Sequence, residues 1–169
     1  MEFEVIQGDI AQQSPDVIVN AAGTSLQMGS GVAGALRREA GSEINEEATS
    51  TGPVDLGGVA VTDAYDLDAG WVVHAAAIPH YGDGQATPGS IEEATRNALE
   101  RADDLGAESL VVPALGCGVA GFDLREGARI ICEVIDDYEP DSLRDVRVIG
   151  YTDEEYETIR EAAESVRSA

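Results

Sequence analysis

Pro113-Ala114-Leu115-Gly116-Cys117-Gly118-Val119-Ala120-Gly121-Phe122 runs out of an apolar segment, Leu110 to Pro113, and into a helical pattern that starts at Asp123. A glycine-rich turn between strand and helix gathers backbone N–H groups at a helix N-terminus. Such a place accepts phosphate without any basic side chain. Glycine there permits close approach and positive φ angles. Nearly the same string stands earlier in the chain, Gly29-Ser30-Gly31-Val32-Ala33-Gly34, ahead of a helical pattern from Val32 to Ala40. Both satisfy G-x-G-x-x-G. Glycine-rich turns are also common as plain turns, so neither string is decisive alone. Placed at the carboxyl side of neighbouring strands, the two would form opposite walls around one diphosphate.

The surrounding sequence supplies those strands. Short apolar runs bounded by turn residues occur at Glu4 to Ile6, Val17 to Ala21, Val59 to Thr62, Trp71 to Ala75, Leu110 to Pro113 and Val146 to Ile149. Several are continuous rather than alternating, the pattern of a sheet covered on both faces. Helical patterns lie between them: Val32 to Ala40, Ser90 to Leu105, Asp123 to Asp136 and Asp153 to Val166. The second of these opens on Ser90-Ile91-Glu92-Glu93, a capping box of the S-x-x-E type. Strands alternating with helices predict a three-layer α/β domain with an at least partly parallel sheet. The chain has 169 residues, enough for one domain with a real core, and residues 1–169 are read as that single domain.

Composition narrows the functional classes. There are 33 acidic residues against 10 basic ones, a formal net charge of −23, and every basic residue is arginine. A surface this acidic repels nucleic acid, whose binding rests on neutralising phosphates. Abundant carboxylates suit a folded, halophilic protein in molar salt, where screening acts over about 3 Å. Without lysine there is no Walker A loop, Schiff base or lysine nucleophile. No apolar run approaches the roughly 20 residues of a membrane span, and MEFEVIQGDI does not read as a signal peptide. Cys117 and Cys132 alone make no disulfide framework, and no spacing of His, Cys and acids suggests a metal site. The expectation is a soluble, cytoplasmic protein with no metal and no cofactor. A Rossmann dehydrogenase fits poorly. The first glycine loop is separated from its strand by Gly23 to Met28, and the second leaves only one further strand, so neither a second half nor a substrate domain is expected from these residues.

Taken in order, Gly8-Asp9-Ile10, Val19-Asn20-Ala21-Ala22, Gly29-Ser30-Gly31-Val32-Ala33 and Pro113 to Phe122 resemble the macrodomain family over nearly the whole chain. The resemblance implies a mixed, mostly parallel six-stranded sheet between helices and a cleft that binds ADP-ribose. It implies that both glycine loops, through Gly29, Gly31, Gly116, Cys117, Gly118, Val119, Ala120 and Gly121, clasp the diphosphate and distal ribose of one ligand. Asp9 matches the family aspartate that accepts from the adenine 6-amino group; capping the turn before Ile10 is its structural alternative. Ile10 would line the adenine pocket, with Asn20 also among the contacts. Tyr151 would lie against the adenine face or simply on the surface. Val32 and Phe122 would be apolar clamps, Phe122 equally a core residue.

Departures from the family pattern bear on chemistry. Relatives that hydrolyse ADP-ribosyl groups often carry Val-Asn-Ala-Ala-Asn and an aspartate after the first loop; this chain has Gly23 and Ala33 at those positions. The resemblance therefore implies first a binding module, a reader or sensor of free ADP-ribose or ADP-ribosylated protein. The alternative is a hydrolase of ADP-ribose 1″-phosphate, O-acetyl-ADP-ribose or ADP-ribosylated protein that positions water against backbone donors. Its catalytic residues are unassigned: Glu39 is read one or two helical turns away from the loops, and Asp123 as a helix cap. His74, inside an apolar strand, reads as a satisfied buried histidine, and His80 as a loop residue within reach of ligand. Cys117 either has its thiol pKa lowered by the nearby helix N-terminus or replaces a small hydroxyl residue common in the family.

Overall fold

A computed structural model of the chain describes residues 1–80, 84–118 and 121–169. Its single sheet has the strand order β1-β6-β5-β2-β4-β3, with β1 Glu4–Gln7, β2 Val17–Gly23, β3 Val59–Asp63, β4 Trp71–Ile78, β5 Ser109–Val112 and β6 Asp145–Gly150. Four of the five neighbouring pairs run parallel; β3 alone is antiparallel, on β4. The expected three layers, six strands and mixed, mostly parallel sheet are all present. The helices are α1 Gly31–Ala40, α2 Glu43–Thr51, α3 Pro88–Asp104, α4 Leu124–Asp137 and α5 Asp153–Arg167, with a 3-10 turn at Ile10–Gln12.

β2 shows why the sheet is central. Val17, Ile18 and Val19 are all fully buried, because successive side chains point to opposite, equally covered faces. Val17 and Val19 share one buried cluster with Ile91 and Leu99 of α3, Ile131 and Ile135 of α4 and Ile159 of α5. Ile18 faces Leu36 of α1 and Ile44 of α2. Each fully buried aliphatic side chain contributes about 1.5–3 kcal/mol, so these contacts dominate the positioning of the helices.

Two local expectations are corrected. The α3 cap is not the Ser90-x-x-Glu93 box: Thr87 is the N-cap, and its hydroxyl accepts from the Ser90 N–H at 3.0 Å while the Ser90 hydroxyl accepts from the Thr87 N–H at 2.9 Å. Pro88 opens the helix where a missing N–H costs nothing. α2 was not anticipated. Its sequence EINEEATST buries only Ile44 and Ala48, one i,i+4 pair, too little to give a helical period in a window of this length.

Candidate functional site

β1, β6, β5 and β2 are consecutive parallel neighbours, so the loops at their carboxyl ends share one edge of the sheet, about 14 Å across at strand spacing. Gly8-Asp9 leaves β1, Tyr151 leaves β6, the second glycine string leaves β5 and the first follows β2. The chain then divides. After β2 it enters α1, which packs on the face holding Ile18 and Val111; after β5 it enters α4, which packs on the other face with Val17 and Val112. Adjacent parallel strands whose connections depart to opposite faces leave a crevice at their carboxyl ends. The two glycine strings therefore lie on either side of one such point.

The two helix starts differ. Ser30 is the N-cap of α1 but its hydroxyl makes no capping bond, so the first-turn N–H groups keep their positive end without a side-chain acceptor. α4 is capped by Asp123, which accepts from the Glu126 N–H at 2.9 Å. That carboxylate occupies the place where an anion would sit. The sequence offers both strings to phosphate; the structure leaves the open helix N-terminus at the first. Gly31 starts α1 at φ +62° and Gly118 turns the second loop at φ +75°, with nothing among the described residues near the position of a Cβ. Both conformations favour glycine.

The remaining expected residues are dispersed by burial. Asp9 uses Oδ1 to accept from the Ala11 N–H at 2.9 Å, capping the 3-10 turn; Oδ2 has no partner among the described residues. Ile10 is buried, and Val32 packs half-buried against the same cluster. Gly29 is exposed. Gly116 is interior: an added Cβ would lie 2.7 Å from Cβ of Ala86, so packing alone demands this glycine. Gly121 donates to the Gly118 carbonyl at 2.9 Å, closing the turn. Phe122 packs against the core. Tyr151 is 69% exposed. Val119 and Ala120 lie outside the described residues. Glu39 is exposed on α1, and His80 is exposed beyond β4.

Asn20 is buried within the sheet. It is 1% exposed and its Nδ2 donates to Nδ1 of His74 at 2.9 Å, while Oδ1 is buried without a partner among the described residues. On the other side of the ring, Nε2 of His74 lies 2.9 Å from the Thr62 hydroxyl, which itself donates to the Asp63 carbonyl. His74 is therefore neutral with the proton on Nε2, and burial lowers its pKa to about 4. The satisfied buried histidine expected from the sequence is what the fold contains. For Cys117 the lowered-pKa alternative does not hold: burial, then the Asp123 carboxylate, push its thiol up to about 11. Its Sγ points at Gly127 of α4, where a Cβ would come within 2.4 Å, so the thiol is a packing group and not an activated nucleophile.

The two departures have physical settings. A Cβ on Gly23 would stand 3.0 Å from the Pro79 carbonyl, and the β2–β4 register shifts at this residue. Ala33 is 5% exposed within the α1-side core. Among the described residues no group of three or more His, Cys, Asp or Glu could hold a metal ion, and no helix is long and apolar enough to cross a membrane.

This sheet order, with the connections after β5 and β2 departing to opposite faces, defines a three-layer α/β protein of mostly parallel strands. A family model described as Macro domain matches residues 19–131, and the chain belongs to that family. A protein of Saccharolobus solfataricus is 37% identical over 171 residues, covering 98% of this chain and 94% of its own. A Macro domain-containing protein of Caldanaerobacter subterraneus is 32% identical over 170 residues, covering 98% and 97%. In three dimensions the chain is similar to a mutant of the Oceanobacillus iheyensis macrodomain with ADPR, at a TM-score of 0.88 and 25% identity, covering 98% of this chain and 93% of that one.

Proposed function

We propose that this protein binds ADP-ribose or a close derivative in the crevice between the two glycine loops, as a reader or sensor rather than as a hydrolase. The observation that carries the reading is the departure of the loops after β2 and β5 to opposite faces of the sheet. One elongated ligand can then lie along the edge, its diphosphate between the loops and its adenine toward β1 and β6. The open N-terminus of α1 suits the diphosphate, and the free oxygen of Asp9 suits an amino donor at the adenine end. The ADPR in the Oceanobacillus iheyensis macrodomain supports the choice of ligand. Binding without dedicated hydrolysis is favoured because Gly23 and Ala33 offer no polar side chain near the distal ribose. ADP-ribosylated proteins are the natural macromolecular partners of such a site, and the acidic surface disfavours nucleic acid.

Calorimetric titration in molar KCl tests this, with AMP and NAD as controls. Micromolar affinity for ADP-ribose with much weaker controls is the expected result. Absence of binding by protein shown to be folded in the same buffer would refute it. Consumption of ADP-ribose 1″-phosphate or O-acetyl-ADP-ribose, abolished by Gly118→Glu, would replace the reader by the hydrolase.

A further inference from the structure

The first glycine turn is gripped immediately upstream. Met28 precedes Gly29, and side chains from two different helices take both of its backbone groups. Its N–H donates to Oδ1 of Asn45 on α2 at 2.8 Å, and its carbonyl accepts from Nη1 of Arg37 on α1 at 3.3 Å. The Met28 side chain is 1% exposed, so the residue is also anchored from below. Leu26, two residues earlier, is fully buried and its N–H donates to the Gly23 carbonyl at 3.0 Å. Gly29 and Ser30, just beyond the grip, are exposed.

We propose that Arg37 and Asn45 are positioning residues for ligand binding, holding Met28 so that the Gly29–Val32 backbone is set in its anion-accepting form before ligand arrives. This rests on the function proposed above. The physical reason is that a turn made of Gly29, Ser30 and Gly31 has wide conformational freedom, and ordering it upon binding would subtract from affinity. A uniform grip on the residue before it removes most of that freedom in advance. Because Ser30 provides no side-chain cap, the turn has no hydroxyl of its own to hold it. Met28 is the last point at which side chains fix the strand-to-helix connection. Neither Arg37 nor Asn45 need touch ligand.

The test uses Asn45→Leu and Arg37→Met, with Asn45→Asp retaining the acceptor oxygen. Titration with ADP-ribose and with AMP is run beside thermal unfolding and amide hydrogen exchange. Asn45→Leu and Arg37→Met should each weaken ADP-ribose by about tenfold, leave AMP within about twofold, and speed exchange at Gly29, Ser30 and Gly31. Asn45→Asp should restore affinity to within about threefold of the parent. Equal weakening of both ligands, or unchanged ADP-ribose affinity in folded variants, would overturn the assignment. If the parent protein fails to bind ADP-ribose, the proposed function falls, and exchange at the three amides still decides the grip: unchanged exchange in Asn45→Leu would overturn it.

Discussion

Acidification should weaken the fold through His74, whose burial opposes protonation. The imidazole is fully buried, accepts from Asn20 and faces Thr62, and its pKa falls from an ordinary 6.5 to about 4. Above pH 6.5 neither the folded nor the unfolded state binds the proton, and the group contributes no pH dependence. Below that value the unfolded chain takes up the proton first, so stability drops as pH falls, until the folded state also protonates near pH 4. Each unit is worth about 1.36 kcal/mol. Between pH 7 and pH 4.5 the expected loss is therefore on the order of 2 kcal/mol from this residue alone. The carboxylates titrate as well, so the assay is a comparison: urea unfolding of the parent and of His74→Gln at a series of pH values and one fixed KCl concentration. The substitution will lower stability at every pH by disturbing the Asn20 and Thr62 bonds. The diagnostic quantity is the slope, which should be shallower in His74→Gln by roughly 1 kcal/mol per unit between pH 6 and 4.5. Identical slopes would refute the neutral, desolvated His74.

Asp9→Ala should weaken ADP-ribose by about tenfold, about 1.4 kcal/mol, with circular dichroism unchanged; undiminished affinity would remove Asp9 from the adenine end. Gly118→Glu should abolish ADP-ribose binding, since it puts a carboxylate into open space at a φ of +75° beside the expected diphosphate; titration that still gives parental affinity would show that the second loop does not face the ligand. Lowering KCl from about 1 M to about 0.1 M lengthens screening from near 3 Å to about 10 Å, and with a net charge of −23 the thermal midpoint should fall steeply. A midpoint independent of salt would sink the halophilic reading of the composition.

All six strands and four of the five helices were legible before folding, because their signals are local. Continuous runs such as Val17-Ile18-Val19 announce a strand buried on both faces wherever it sits. Glycine strings and the Asp123 cap are likewise local devices. α2 was not legible, since Ile44 and Ala48 become an apolar face only when α1 and β3 are brought against them. The functional edge divides along the same line. Sequence alone established the two glycine turns, their nearly identical composition, the absence of lysine and the loss of polar side chains at Gly23 and Ala33. Tertiary structure decided what burial and neighbours decide. It sent Asn20 into the interior beside His74, aimed the Cys117 thiol at Gly127 and raised its pKa, and closed the α4 N-terminus with Asp123 while leaving that of α1 open. It also placed Asn45 on Met28 from seventeen residues away. Secondary structure follows from the order of residues along a few turns of chain; the charge state and exposure of a site depend on atoms that only the packed sheet brings together.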